Sequence, residues 1–240
     1  MTIFKHLIVT GRPACGKSEF IDMVKKMPEN ERVERLHIGK FVEIDDFPML
    51  WALSEEDDQR EAKGEKRIYT GRVPEGITLL IPRLRIQMIP KMNKVLAEKY
   101  PPDSPFYKDG TVLIEFARGK ADGFMENLQA LDPKTLKESA IIHILVTFEE
   151  SYRRNHARYV KGLESSILSH KVPDKDMYEY FIENDWLKIT DNKPNGYLNV
   201  NGINVPFVTL NNEPEIKDPA LLAKRYEPAL KKLMELNQNK

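Results

Sequence analysis

Residues 11–18 read Gly-Arg-Pro-Ala-Cys-Gly-Lys-Ser, a full match to Gly, four residues, Gly, Lys and then Ser or Thr. The spacing has a physical basis. A loop of this length can wrap a phosphate with its backbone N–H groups pointing inward. A helix starting at its end adds the positive end of its dipole. Gly11 and Gly16 permit backbone shapes that a Cβ would obstruct. Lys17 can then reach the β- and γ-phosphates, and the Ser18 hydroxyl can ligate Mg²⁺. The flanks agree: an apolar stretch ends at Thr10 and an amphipathic pattern begins near Lys17. A chance match in a turn would need neither flank. Gly11, Arg12, Pro13, Ala14, Cys15, Gly16, Lys17 and Ser18 are therefore the candidate nucleotide-binding residues, with ATP and Mg²⁺ as the expected cofactors.

Carboxylates and cations follow later apolar stretches. Glu43-Ile44-Asp45-Asp46-Phe47 ends the second of them. Such strand ends face the ligand crevice in open α/β sheets. A carboxylate there can accept a proton as a hydroxyl attacks phosphorus. Asp45 and Asp46 can equally cap a helix beginning near Pro48. Glu115 closes the stretch from Val112, followed by Phe116-Ala117-Arg118-Gly119. It can hold Mg²⁺ directly or through water, or form a plain surface ion pair. Arg154 and Arg158 are four residues apart and share a helix face, mildly unfavourable unless an anion lies nearby. The plainer alternative pairs Arg153 or Arg154 with Glu149 or Glu150 on a solvated face.

With Pro13 inside the loop, the sequence resembles the P-loop kinases, the group of adenylate kinase, uridine kinase and related small-molecule phosphotransferases. It departs from their usual form at Ala14, where they have Gly. The resemblance implies a three-layer α/β fold with a five-stranded parallel sheet in the order 2-3-1-4-5. It implies that Asp45 or Asp46 contacts or deprotonates the acceptor hydroxyl. The Glu115 stretch looks like a Walker B strand, and Arg118 like the arginine that binds the acceptor or its phosphate. Arg154 and Arg158 resemble the arginines that neutralise the transferring phosphoryl group. Asn211 or Asn212, after the last apolar stretch, stands where the family loop borders adenine, although Asn there is also simply a turn former.

These residues need a scaffold to bring them together. Short apolar runs at 5–10, 41–44, 111–116, 140–148 and 205–210 read as buried strands. Helical patterns occupy 18–27, 82–99, 121–131, 149–160 and the tail from Asp218, where Pro228 should introduce a kink. The alternation predicts an α/β fold with a mainly parallel sheet in a single domain, residues 1–240. Residues 47–110 form an acceptor-side insertion and 150–196 a lid-like insertion. Asn201-Gly202 between apolar flanks predicts a type I′ hairpin over 197–207. His143 reads as a satisfied core residue, and His156 and His170 as polar-region residues without metal spacing. Trp51 and Trp186 read as packing residues with base stacking as the alternative.

Composition narrows the function classes. The 240 residues carry 37 Lys+Arg and 37 Asp+Glu, and zero net charge argues against binding nucleic acid by bulk positive charge. No stretch approaches the ~20 apolar residues of a membrane helix, and the start is too short for a secretion signal. One cysteine permits neither an internal disulfide nor a cysteine-built zinc site, which sets a reducing cytoplasm as the default location. A regulatory GTPase needs Asn-Lys-x-Asp, and Asn192-Lys193-Pro194-Asn195 lacks the Asp. The leading expectation is an ATP- and Mg²⁺-dependent kinase of a small acceptor. The alternatives are a nucleotide-binding regulator with little activity and a polynucleotide 5′-end kinase. Nine bases against three acids over 60–94 can line a pocket for an anionic acceptor or form a solvated face. Cys15, between inward N–H groups and Lys17, is expected to be a reactive thiolate if its sulfur faces the phosphates; otherwise it is a small buried filler.

Overall fold

The structure, a computed structural model, describes residues 2–74, 76–81, 83–159 and 171–240. In chain order the main elements are β1 (His6–Gly11), α1 (Lys17–Lys26), α2 (Glu29–Leu36), β2 (Lys40–Asp45), α3 (Asp46–Ala62), β3 (Thr70–Val73) and β4 (Gly76–Leu79). Then come α4 (Met88–Lys99), β5 (Gly110–Ala117), α5 (Phe124–Gln129), α6 (Pro133–Lys137), β6 (Ser139–Leu145) and α7 (Phe148–Ala157). The last are α8 (Asp174–Asp176), which runs into a π-helical turn, α9 (Trp186–Ile189), β7 (Asn195–Val200), β8 (Ile203–Asn211) and α10 (Pro219–Gln238).

The sheet order is β2-β5-β1-β6-β8-β7. The first five strands are parallel, so in chain order they run 2-3-1-4-5, as the resemblance implies. The sheet has a sixth strand that the five-strand expectation omits, because β7 pairs antiparallel with β8 at the edge. Its turn is the anticipated one: Asn201 and Gly202 both have positive φ, at 52° and 82°.

Side-chain alternation divides the core into two layers. Leu7 and Val9 of β1 and Leu113 of β5 pack with Phe20 and Val24 of α1 and Tyr226 and Leu230 of α10. Ile8, Ile114 and Phe116 face the other way, onto Ile89 and Met92 of α4 and Phe124 and Leu128 of α5. The parity has a functional consequence. Glu115 shares the α1 face with Leu113, and Asp45 lies opposite Glu115 in the β2–β5 register. Glu43, two residues before Asp45, confirms the face by pairing with Lys25 of α1 at 2.8 Å.

Several boundaries differ from expectation for local reasons. α4 begins at Met88, not near 82, because Leu84 and Gln87 make tight turns onto Ile81 and Leu84 carbonyls. β6 stops at Leu145, since the Thr147 hydroxyl caps α7 by accepting from the Glu150 N–H at 3.2 Å. α10 continues through Pro228. Within the 150–196 insertion, Trp186 is fully buried, stacks on His143 at 4.2 Å and donates to the Thr209 hydroxyl at 2.8 Å. That settles Trp186 as a core residue. His143 is buried and neutral, with burial holding its pKa well below the usual value, but its Nδ1 has no partner among the described residues. Residues 160–170 of the expected lid, His170 among them, lie outside the described residues. Among the described residues no helix is long and apolar enough to cross a membrane.

The insertion of residues 47–110 is fastened by one carboxylate. Asp57 of α3 is fully buried and accepts from the N–H groups of Ile68, Tyr69 and Thr70 at 2.8, 2.9 and 2.7 Å, and from the Thr70 hydroxyl at 3.1 Å. Burial opposes its charge, but the three N–H groups and the hydroxyl hold its pKa below the ordinary value. Asp57→Asn should cost about 2–3 kcal/mol, read by urea denaturation at pH 7, because a buried N–H would then face an NH₂ group. A lowered carboxyl pKa stabilises the fold at every pH above the ordinary value. The gap between the two proteins should therefore hold down to about pH 4 and narrow below it.

Candidate active site

The phosphate loop is built by its outward contacts. Gly11 has φ 157°, and a Cβ there would lie 2.5 Å from the Ile144 carbonyl oxygen and 2.6 Å from the Cys15 sulfur. Gly16 has φ 111°, and a Cβ would meet the Asn212 amide nitrogen at 2.3 Å. Ala14 adopts a left-handed φ of 52°, so the position where the family has Gly does require that conformation. Ala carries it at a cost of about 1 kcal/mol. The loop carbonyls are bonded from behind. Pro13 O accepts from the Ser151 hydroxyl at 2.7 Å. Cys15 O accepts from Asn212 Nδ2 at 2.8 Å and from Arg154 at 3.3 Å. Arg12 donates outward to the carbonyls of Val146, Phe181 and Ile182 at 3.0, 3.0 and 3.2 Å.

A cavity of about 680 Å³ opens over the loop. Lys17, Ser18, Asp45, Asp46, Glu115, Arg118, Arg154 and Arg158 all line it. The sequence motifs thus converge on one space, but they stand in different states. Lys17 donates to the Arg12 carbonyl at 3.2 Å and lies 3.8 Å from Glu115. Burial works against its ammonium, but Cys15, Glu115 and Asp45 lift its pKa above the usual lysine value. Since burial also pushes the Cys15 thiol up, Glu115, 3.8 Å away, is the partner closest to the ammonium.

Asp45 accepts from the Phe47 N–H at 2.9 Å and so caps α3 while lining the cavity. Burial, Glu115 and Asp46 together push its pKa up to about 8. Asp46 is buried and paired with Arg118. Arg118 is fully buried, and its other donors reach Asn127 Oδ1 at 2.6 Å and the carbonyls of Ala117 and Arg85 at 2.8 and 3.2 Å. Its guanidinium orients Asp46 and the cavity wall. Glu115 is buried, and burial raises its pKa against the pull of Lys17.

Arg154 is buried and donates to Glu150 at 2.6 Å and to the Asn212 carbonyl at 2.7 Å, besides the loop. It holds the loop in place. Arg158 has no hydrogen bond or ion pair among the described residues, so its donors are available to an anion. Asn212 is corrected from base contact to loop brace. Its amide nitrogen is taken by Cys15 O, and its oxygen accepts from Arg225 at 3.0 Å. The chain beyond it reaches the cavity instead, through Glu215, Lys217, Pro219 and Leu222. Sequence reasoning missed Arg85 as an individual residue. It lines the cavity from the acceptor-side insertion, and its only signal was the basic stretch around it. Trp51 is buried under the Arg72 guanidinium, 5.6 Å from the ring centre, rather than open to a base.

Cys15 overturns the expected reactivity. It is fully buried in the apolar layer beneath the loop, and burial pushes its thiol pKa up. A thiol reagent should label the native chain slowly and only as fast as the loop opens, whereas urea-unfolded protein should react at once with one equivalent. Rapid native labelling would contradict the inward-facing sulfur.

No protein-family model matches the chain, and no curated protein matches it. Solved structures do resemble it. Kti12 from Chaetomium thermophilum, in complex with ADP-AlF3, superposes with a TM-score of 0.53 at 11% identity, covering 96% of this chain and 98% of that one. A gluconokinase from Sinorhizobium meliloti 1021 gives 0.49 at 14% identity, covering 98% and 96%. A sugar kinase from Janibacter sp. HTCC2649 gives 0.42 at 13%, covering 95% of each. With the loop of residues 11–18 between β1 and α1 and a parallel order of 2-3-1-4-5, the protein has the P-loop kinase-like fold.

Proposed function

We propose that the protein is an ATP- and Mg²⁺-dependent phosphotransferase acting on a small acceptor. The observation that carries this reading is the shared cavity, where a phosphate loop, an acid at the end of β5 and an acid at the end of β2 face one another. The fold neighbour Kti12, solved with ADP-AlF3, is consistent with nucleotide at the loop.

The donor set fits Mg²⁺. Ser18 offers a hydroxyl oxygen and Glu115 a carboxylate, both on the cavity wall. A phosphate-bound Mg²⁺ takes only one or two protein oxygens and completes its shell with phosphate and water. When bound, the ion would neutralise charge on the phosphates. Lys17 supplies a second cation on the same side, already charged and aimed by Glu115. Arg158, at the end of α7 and without a hydrogen bond among the described residues, offers its guanidinium to the transferring group. Asp45 is placed to accept the proton of an acceptor hydroxyl. Burial and two neighbouring acids make it more basic than a free carboxylate, and it is ionised, and so able to accept a proton, mainly above about pH 8.

The test is nucleotide turnover by a coupled ADP assay with candidate acceptors and a Mg²⁺ titration. Lys17→Ala should lower transfer by about 10²–10³-fold and weaken ATP binding, with the circular dichroism spectrum unchanged. Asp45→Asn should lower turnover by at least about 10²-fold with near-normal ATP affinity. Asn is as good a helix cap as Asp, so this variant removes the base and keeps α3. Glu115→Gln should raise the Mg²⁺ concentration needed for half-maximal rate. Undiminished transfer by Lys17→Ala would overturn the kinase reading.

A further inference from the structure

The cavity's cations are not equally engaged. Arg118 is tied to Asp46, Asn127 and two carbonyls; Arg154 to Glu150 and two carbonyls; Lys171 to Asp174 at 2.9 Å. Arg85 differs. It sits in the loop just before α4, on the acceptor-side insertion, and shares the cavity with Asp45, Leu50, Ile77, Leu79 and Phe181. Its guanidinium lies over the rings of Phe181 and Tyr180, 4.8 and 5.3 Å from their centres. It makes no hydrogen bond or ion pair among the described residues.

None of the acids near enough to feel it pairs with it among the described residues. Asp46 is paired with Arg118, Asp122 lies 3.6 Å from Arg83, and Asp176 accepts from the Thr78 hydroxyl at 2.9 Å. Arg118 adds a like charge beside it, and burial disfavours the charged form. A cation held against aromatic rings, next to another cation and without a counterion, is costly unless an anion arrives. Guanidinium presents its donors as a rigid fork that matches phosphate or carboxylate. The fork is also held ready. The Arg85 carbonyl accepts from Arg118 at 3.2 Å and from the Met88 N–H at 3.0 Å, which fixes the backbone beneath the side chain.

We propose that Arg85 is the anion-binding end of the acceptor subsite, so the acceptor carries a phosphate or carboxylate group in addition to the hydroxyl presented to Asp45. This rests on the phosphotransferase reading for the hydroxyl, while the anion site itself stands on Arg85. The Phe181 ring and Leu50, Ile77 and Leu79 form the apolar wall along which such a molecule lies. Neutral sugars and nucleosides leave the fork empty and are poor acceptors.

The first measurement is calorimetric. The full chain is saturated with a non-hydrolysable ATP analogue and Mg²⁺, which fills the loop, and inorganic phosphate is then titrated. The saturation step reports on the nucleotide site alone, so a failure of the phosphotransferase reading registers before Arg85 is tested. One equivalent of saturable phosphate binding is expected, weakened at least about tenfold in Arg85→Gln and partly restored in Arg85→Lys. No saturable binding by the wild-type chain, or equal binding by Arg85→Gln with an unchanged circular dichroism spectrum, overturns the proposal. The second measurement pairs charged and neutral acceptors: AMP with adenosine, ribose 5-phosphate with ribose, and glycerate with glycerol. The charged member of a productive pair should have a KM at least about tenfold lower, and Arg85→Gln should raise that KM far more than it lowers kcat. The first two pairs report phosphate and the third carboxylate. A neutral member used as well as its charged partner overturns the proposal.

Discussion

A phosphate-binding loop must turn its N–H groups inward, and so its carbonyls must find donors on the outside. Here those donors come from distant parts of the chain. Ser151 and Arg154 reach the loop from α7, and Asn212 reaches it from the end of β8. The parallel sheet makes this possible by bringing the carboxyl ends of β1, β6 and β8 side by side, with β6 between the other two. The residues that follow β6 and β8 then arrive behind the loop. Gly16 is required by the same arrangement, because any Cβ would displace the Asn212 amide. The loop sequence is therefore only half of the site. The other half is a set of polar side chains that hold its carbonyls from outside.

Side-chain parity is the second organising constraint. Glu115 is on the α1 face because it is two residues from Leu113, and Asp45 joins it through the strand register. Three acids and one lysine then share a small buried space. Burial works against charge there, and Lys17 and Arg118 each stand beside one carboxylate, Glu115 and Asp46. Asp45 has no ion-pair partner among the described residues, and burial with two neighbouring acids raises its basicity.

The parts legible in the sequence were those with short-range signals. The loop motif, the apolar strands, the Asn201-Gly202 turn and the acids at strand ends all depend on neighbouring residues. Their convergence on one cavity followed from the fold they imply. What escaped depended on long-range partners. Asn212 reads as a turn or base-contact residue until its amide is seen against Cys15, 197 positions away. Cys15 looked reactive because inward loop N–H groups and Lys17 would favour a thiolate, whereas its sulfur packs in the apolar layer formed with Phe20 and Tyr226. Trp186 read as a packing residue with base stacking as the alternative, and its partner, the stacked His143, lies 43 positions away. Arg85 was hidden in a basic run in which Arg60, Arg67 and Arg72 pair with acids of α3.

Phe181 touches both halves of the cavity. Its carbonyl accepts from Arg12 of the phosphate loop, and its ring lies under the Arg85 guanidinium. A single peptide unit is thus common to the two ends. Occupancy of either end that shifts this residue alters the free energy of the other, and linkage requires the effect to be equal in both directions. The order in which two molecules enter the cavity would then be governed by the stiffness of one aromatic turn. Its position over Gly119, where a Cβ would come within 1.9 Å of the Tyr180 carbonyl oxygen, leaves that turn almost no room to give.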